Sequence, residues 1–137
     1  MRPLRTIATA LTLVTALLVS TGGSAKTPLE ICYDRVGNQG RTAVGPCLET
    51  MLKEDATEMA AVLAARKKEA RELAQATGRR KSVKSLEKAQ RQFLAYRKAQ
   101  CQYLMDAMDA GTGAGDAQRD CMVRLTRQRV EELRANP

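Results

Sequence analysis

The sequence contains no histidine and no tryptophan, and its aromatics are one phenylalanine and three tyrosines. Without histidine the commonest general base is missing, and so is the imidazole ligand of most catalytic zinc sites. So few aromatics leave no platform on which nucleic-acid bases could stack, which argues against a nucleic-acid partner. A core must come from Leu, Met, Val and Ala. Beta-branched residues are scarce and no stretch alternates apolar with polar, so no strand is expected. No G-x-S-x-G, no Gly-rich phosphate loop after a strand and no metal-ligand cluster occurs. The adjacent carboxylates Glu54/Asp55 and Glu131/Glu132 point in different directions on a helix. The chain therefore reads as a non-enzyme with no cofactor and no metal. A carboxylate-only cell-wall hydrolase is the remaining catalytic alternative.

Long apolar runs are also missing, with one exception. Residues 7–19 are uncharged and mostly apolar, preceded by Arg2 and Arg5 and followed by Gly23, Ser24 and Ala25. This is the layout of a secretory signal, cut after Ala25, so residues 1–25 form a signal peptide. The run is too short to cross a hydrocarbon core, which needs about 20 residues, so no transmembrane anchor remains after processing. The first cysteine, Cys32, follows Ile31 and lacks the small residue that a lipoprotein cut requires. The expected location is periplasmic or secreted. Removing Arg2 and Arg5 from the 23 basic residues leaves 21 against 15 acidic, a mature charge of +6.

Four cysteines remain: Cys32, Cys47, Cys101 and Cys121. An even number in an exported chain implies disulfides, with three connectivities open. Cys32–Cys47 and Cys101–Cys121 are favoured because each pair flanks one Gly-containing loop. Zinc and dithiol chemistry prefer a C-x-x-C spacing that does not occur here.

Residues 26–45 carry Pro28, Gly37, Gly40 and Gly45 and read as irregular, with at most a helical turn between Leu29 and Arg35. From Pro46 onward, Leu48, Leu52, Ala56, Met59, Leu63, Ala70 and Leu73 recur on one helix face, and Gly78 supplies a stop. A second helix is expected over residues 82–107, capped by Ser82, with Val83, Leu86, Phe93, Leu94, Cys101, Leu104, Met105 and Met108 inward. After a glycine-rich loop, Asp116 is expected to cap a third helix over 116–134, with Ala117, Cys121, Met122, Leu125, Val130 and Leu133 inward. Short connections make neighbours antiparallel. The fold class is thus all-α: an antiparallel three-helix bundle over residues 46–137, stapled by two disulfides.

Charge is unevenly placed. Residues 49–58 carry a net −3, 66–91 a net +7 and 102–120 a net −3. Folded onto the bundle, one end is acidic and the other basic. Carboxylates at helix N-termini suit the helix dipole. The cluster Arg79, Arg80, Lys81, Lys84 and Lys88 opposes it, and is the candidate anion contact.

One stretch is more specific. Residues 86–101 have the form L-x-x-A-Q-x-x-(aromatic)-x-x-Y-R-x-x-x-C, with Gln90, Phe93, Tyr96, Arg97 and Cys101 at the marked positions. A glycine-rich loop, Cys121, and then Leu125-Thr126-x-x-Arg129 follow. This pattern resembles the lysozyme inhibitor LprI-like domains, small exported bacterial helical proteins. Cys47 and Asp55 fit the family's upstream half; Glu58-Met59 replaces an L-N-like pair, and Phe93 stands where the family usually has Trp. The resemblance implies a protein partner such as a lysozyme or another cell-wall hydrolase. Lysozymes are cationic, so an acidic contact is expected from Asp106, Asp109, Asp116 and Asp120. The motif residues Gln90, Phe93, Tyr96, Arg97, Leu125 and Arg129 read as structural, with Arg97 on the inner seam, satisfying loop carbonyls or pairing with a carboxylate such as Asp55. The alternative function is an envelope interaction module whose basic end contacts anionic polymer or a membrane surface.

Overall fold

The computed structural model describes residues 25–109 and 111–135. The expected signal peptide lies outside this range but for Ala25. The described residues form four helices and no strand: α1 (Pro28–Val36), α2 (Val44–Thr77), α3 (Lys81–Asp106) and α4 (Ala114–Ala135), with 3-10 turns at Gly37–Gln39 and Arg41–Ala43.

The segment expected to be irregular holds α1, so the bundle has a fourth, short helix. The cause is local. Thr27 accepts from the Glu30 N–H at 3.2 Å while Glu30 accepts from the Thr27 N–H at 2.7 Å, a reciprocal capping box with Pro28 at the first helical position. Two other caps differ from expectation. Ser82 lies inside α3, whose N-cap is Arg80 with no side-chain hydrogen bond. Asp116 lies in the first turn of α4. Helix α2 starts at Val44, ahead of Pro46, which still falls in the first turn where no N–H partner is needed. Gly78 ends α2 as anticipated, in the left-handed region at φ 71°, where its N–H reaches the Ala74 carbonyl.

The three long helices run up, down and up. Contacts between Glu49 and Arg119, Asp55 and Arg127, and Glu58 and Arg134 ascend together, so α2 and α4 are parallel. Cys101–Cys121 and Gln90–Arg129 descend against each other, so α3 is antiparallel to α4. Helix α4 is the middle element, packed along both α2 and α3. It stops beside Arg66, whose guanidinium donates to the carbonyls of Leu133 at 2.6 Å and Arg134 at 2.7 Å. Beyond that point α2 continues for about 16 Å at 1.5 Å per residue, accompanied among the described residues by the start of α3 alone.

Two apolar clusters form the core. One gathers Cys32, Val36, Val44, Leu48, Met51 and Val123 where α1, α2 and α4 meet. The other gathers Met59, Val130 and Leu133, with Phe93 and Leu86 against them. Val123 and Thr126 are fully buried, although neither was among the expected inward residues. Conversely Leu73, expected inward, is 56% exposed, and Leu94 and Met108 are also exposed. Leu73 lies past Arg66, where α4 ends, and among the described residues no third helix covers it.

Candidate functional site

Both disulfides have the favoured pairing. Cys32–Cys47 joins α1 to α2 with an S–S distance of 2.05 Å, and Cys101–Cys121 joins α3 to α4 at 2.01 Å. With every cysteine bridged, none is free for metal or redox chemistry. Among the described residues no group of His, Cys, Asp or Glu is placed to hold a metal ion. No described helix is long and apolar enough to cross a membrane.

Four of the six motif residues, Gln90, Phe93, Arg97 and Arg129, come together along one seam between α3 and α4. Gln90 is buried and joins α2 to α4: its amide nitrogen lies 3.5 Å from the Met59 sulfur, and its carbonyl oxygen accepts from Arg129 Nε at 3.1 Å. Arg129 also reaches Glu132 at 3.1 Å. The guanidinium carbons of Arg97 and Arg129 lie 5.8 and 5.5 Å from the centroid of the Phe93 ring. A ring at that distance stabilises cations through its quadrupole. Arg97 Nη1 donates to the fully buried Thr126 hydroxyl at 2.6 Å, and that hydroxyl donates onward to the Met122 carbonyl at 2.7 Å. Asp55 is therefore not the partner of Arg97; Arg127 takes it at 2.7 Å. Burial pushes the Arg97 pKa below its ordinary value, and its Nε is buried without a partner. Desolvation of this charge is offset by the hydroxyl and the ring. Tyr96 differs from its motif neighbours, being 55% exposed.

The acidic end is partly consumed by the fold. Helix α4 is rich in arginine, and it lies where these side chains reach acids on α2 and on its own first turns. Arg119 meets Glu49 and Asp116, Arg124 meets Asp120, Arg127 meets Asp55, and Arg134 meets Glu58. Asp120 is only 8% exposed, and its second oxygen accepts from the Leu29 N–H at 2.9 Å, anchoring α1. Asp120 thus leaves the set of expected partner contacts as a structural residue. Asp116 is largely covered as well, with 15% of its side chain exposed. Asp106 and Asp109 face solvent at the α3–α4 turn, where Asp109 adopts a positive φ of 44°. Exposed Tyr103 and Met108 flank them.

The basic end keeps its charge. Of ten cations in residues 66–91, three meet the three acids there: Arg66 with Glu69, Lys67 with Glu87 and Lys68 with Glu72. Arg71, Arg79, Arg80, Lys81, Lys84, Lys88 and Arg91 form no ion pair among the described residues. The expected cluster of five is thus part of a larger unpaired set, to which Arg71 and Arg91 belong.

These features define a class: a small all-helical protein, stapled by two disulfides, whose motif residues build an internal seam between α3 and α4. The chain belongs to the lysozyme inhibitor LprI family, whose model matches residues 32–133, from α1 to the last turns of α4. No curated protein and no solved structure gives a significant match.

Proposed function

We propose that the chain is an exported, non-enzymatic inhibitor that docks a cationic cell-wall hydrolase of the lysozyme kind through its α3–α4 turn. The observation that carries this reading is the pairing of unneutralised acids with exposed apolar side chains at one place. Asp106 accepts only from Gln102, at 2.8 Å, and no cation meets Asp106 or Asp109 among the described residues. Tyr103, at 64% exposed, supplies a rigid ring beside them. Aromatic anchors rimmed by complementary charge are what protein interfaces use. Family membership supports the inhibitory role, and the residue inventory supports binding over catalysis. The overall positive charge opposes a cationic partner, so the acidic turn is the approach with least repulsion.

The test is a lysozyme activity assay with the oxidised, purified protein. Inhibition is expected, weakened about tenfold by Asp106→Asn/Asp109→Asn with the fold intact. No inhibition at a large molar excess of the unaltered protein rejects the reading.

A further inference from the structure

The unpaired cations of the hairpin are not spread around it. Lys81, Lys84, Lys88 and Arg91 follow one another on α3 at steps of three, four and three residues, which places them on one helix face. From the other wall Arg71 of α2 joins them. Arg71, Arg80 and Lys84 line a groove of about 410 Å³ between α2 and α3, with Ala74 and Val83 also in its lining. The one acid in that lining, Glu87, already meets Lys67 at 3.5 Å. The opposite groove of the hairpin, about 510 Å³, holds Ala70, Leu73, Leu86 and Ala89 and none of these seven cations. The cations that line this second groove, Arg66 and Arg129, meet Glu69 and Glu132, so the unpaired cations that line a groove of the hairpin lie on the first side.

Three features indicate what such a face takes. Three cationic side chains line one groove, more than the two oxygens of a single carboxylate engage well, and suited to the several oxygens of a phosphate. The stripe continues from Lys84 to Arg91 over about 10 Å, which extends the site in one direction like a track. Of the exposed large apolar side chains, Leu73 lines the other groove and none lines the basic one, whose apolar members are Ala74 and Val83, so the basic groove itself offers little to bury in a bilayer. We propose that this face binds a linear phosphate-bearing polymer of the cell envelope, with one phosphate held among Arg71, Arg80 and Lys84 and the next along Lys88 and Arg91. The site lies toward the other end of α3 from Asp106, about 33 Å away along the helix at Lys84 and about 22 Å at Arg91, and is independent of the inhibitory reading.

The experiment is an anisotropy titration of fluorescein-labelled long-chain polyphosphate with the oxidised protein. Binding is expected to weaken about a hundredfold between 50 and 200 mM salt, as about five released counterions require. Arg71→Gln/Lys84→Gln is expected to weaken it about tenfold. Arg35→Gln/Lys53→Gln removes the same charge from exposed, unpaired positions distant from the groove and is expected to weaken it less than twofold. Lys88→Gln/Arg91→Gln serves as a second test pair if the first fails to fold. Equal losses in the test and distant pairs would show attraction by net charge alone and overturn the proposal. So would equal affinity for poly-glutamate, or binding to phosphatidylglycerol vesicles without binding to polyphosphate.

Discussion

At the stapled end, α1, α2 and α4 converge on Val44, Leu48 and Val123, all fully buried; in the last eleven residues of α2, Ala74 alone is buried. The first region has disulfides, a capped short helix and arginines that neutralise five of the eight acids of residues 49–58 and 102–120. The second has two helices and seven unpaired cations. Where three elements meet, most of the acids are taken up in internal pairs; where only two meet, most of the cations stay unpaired. The difference separates a part that holds the fold from a part that the fold can carry at little cost.

The largest expected effect tests that division through burial. Leu48→Ala should destabilise the protein by about 3 kcal/mol, because a fully buried leucine leaves a cavity. Leu73→Ala should change stability by less than about 0.5 kcal/mol, because its side chain is mostly in water already. Denaturant titration of both variants decides the point. Similar losses at the two sites would mean that the hairpin tip is held by something beyond its visible packing. Hydrogen exchange on the unaltered protein gives the same comparison, with residues 67–88 opening before residues 44–59.

A smaller effect lies between the two regions, in the seam of motif residues. Arg97→Ala removes the hydrogen bond to Thr126 and the charge beside Phe93, but it also removes a buried Nε without a partner. The two consequences oppose each other, so the expected loss is moderate, about 1–2 kcal/mol, or a melting temperature about 5–10 °C lower. Unchanged stability together with lost lysozyme inhibition would instead place Arg97 in the partner contact.

Much of this architecture was legible from residue spacing. The long helices follow from the apolar period and from Gly78, and the disulfide pairing follows from two short loops. What spacing could not give was the length of α4 relative to α2. A stripe containing Leu73 looks the same whether or not a third helix reaches it. Nor could spacing assign partners among many arginines and acids. Arg97 met Thr126 while Arg127 took Asp55, because the fold sets α4 parallel to α2 and places Asp55 beside it. Arg66 was missed as the residue that closes the end of α4, since nothing local to it signals a carbonyl 67 positions away. Helix α1 was different: Thr27-Pro28-x-Glu30 is a readable capping signal, outweighed by the glycines that follow it.

That capping signal supplies the smallest test, and it concerns how α1 is attached to the stapled end. The Thr27 N–H and hydroxyl, both donating to the Glu30 carboxylate, hold its pKa below the ordinary value. A carboxylate lowered in the fold contributes stability above its unfolded pKa, about 4.3, and loses that contribution as the pH falls through the folded value. Lys26 has the opposite sign. Asp34, at 2.6 Å, raises its pKa, so its contribution is present below about 10.4 and is lost as the pH rises through the folded value. Both groups are fully exposed, so the changes should be local. Amide exchange across residues 28–36 should lose protection at acid pH and, separately, at strongly alkaline pH, while residues 44–59 stay protected. In Glu30→Gln the acid part of this loss should shrink and the alkaline part should persist. If the variant kept the full acid dependence, the Glu30 carboxylate would not be its source and the capping account of the acid loss would fail.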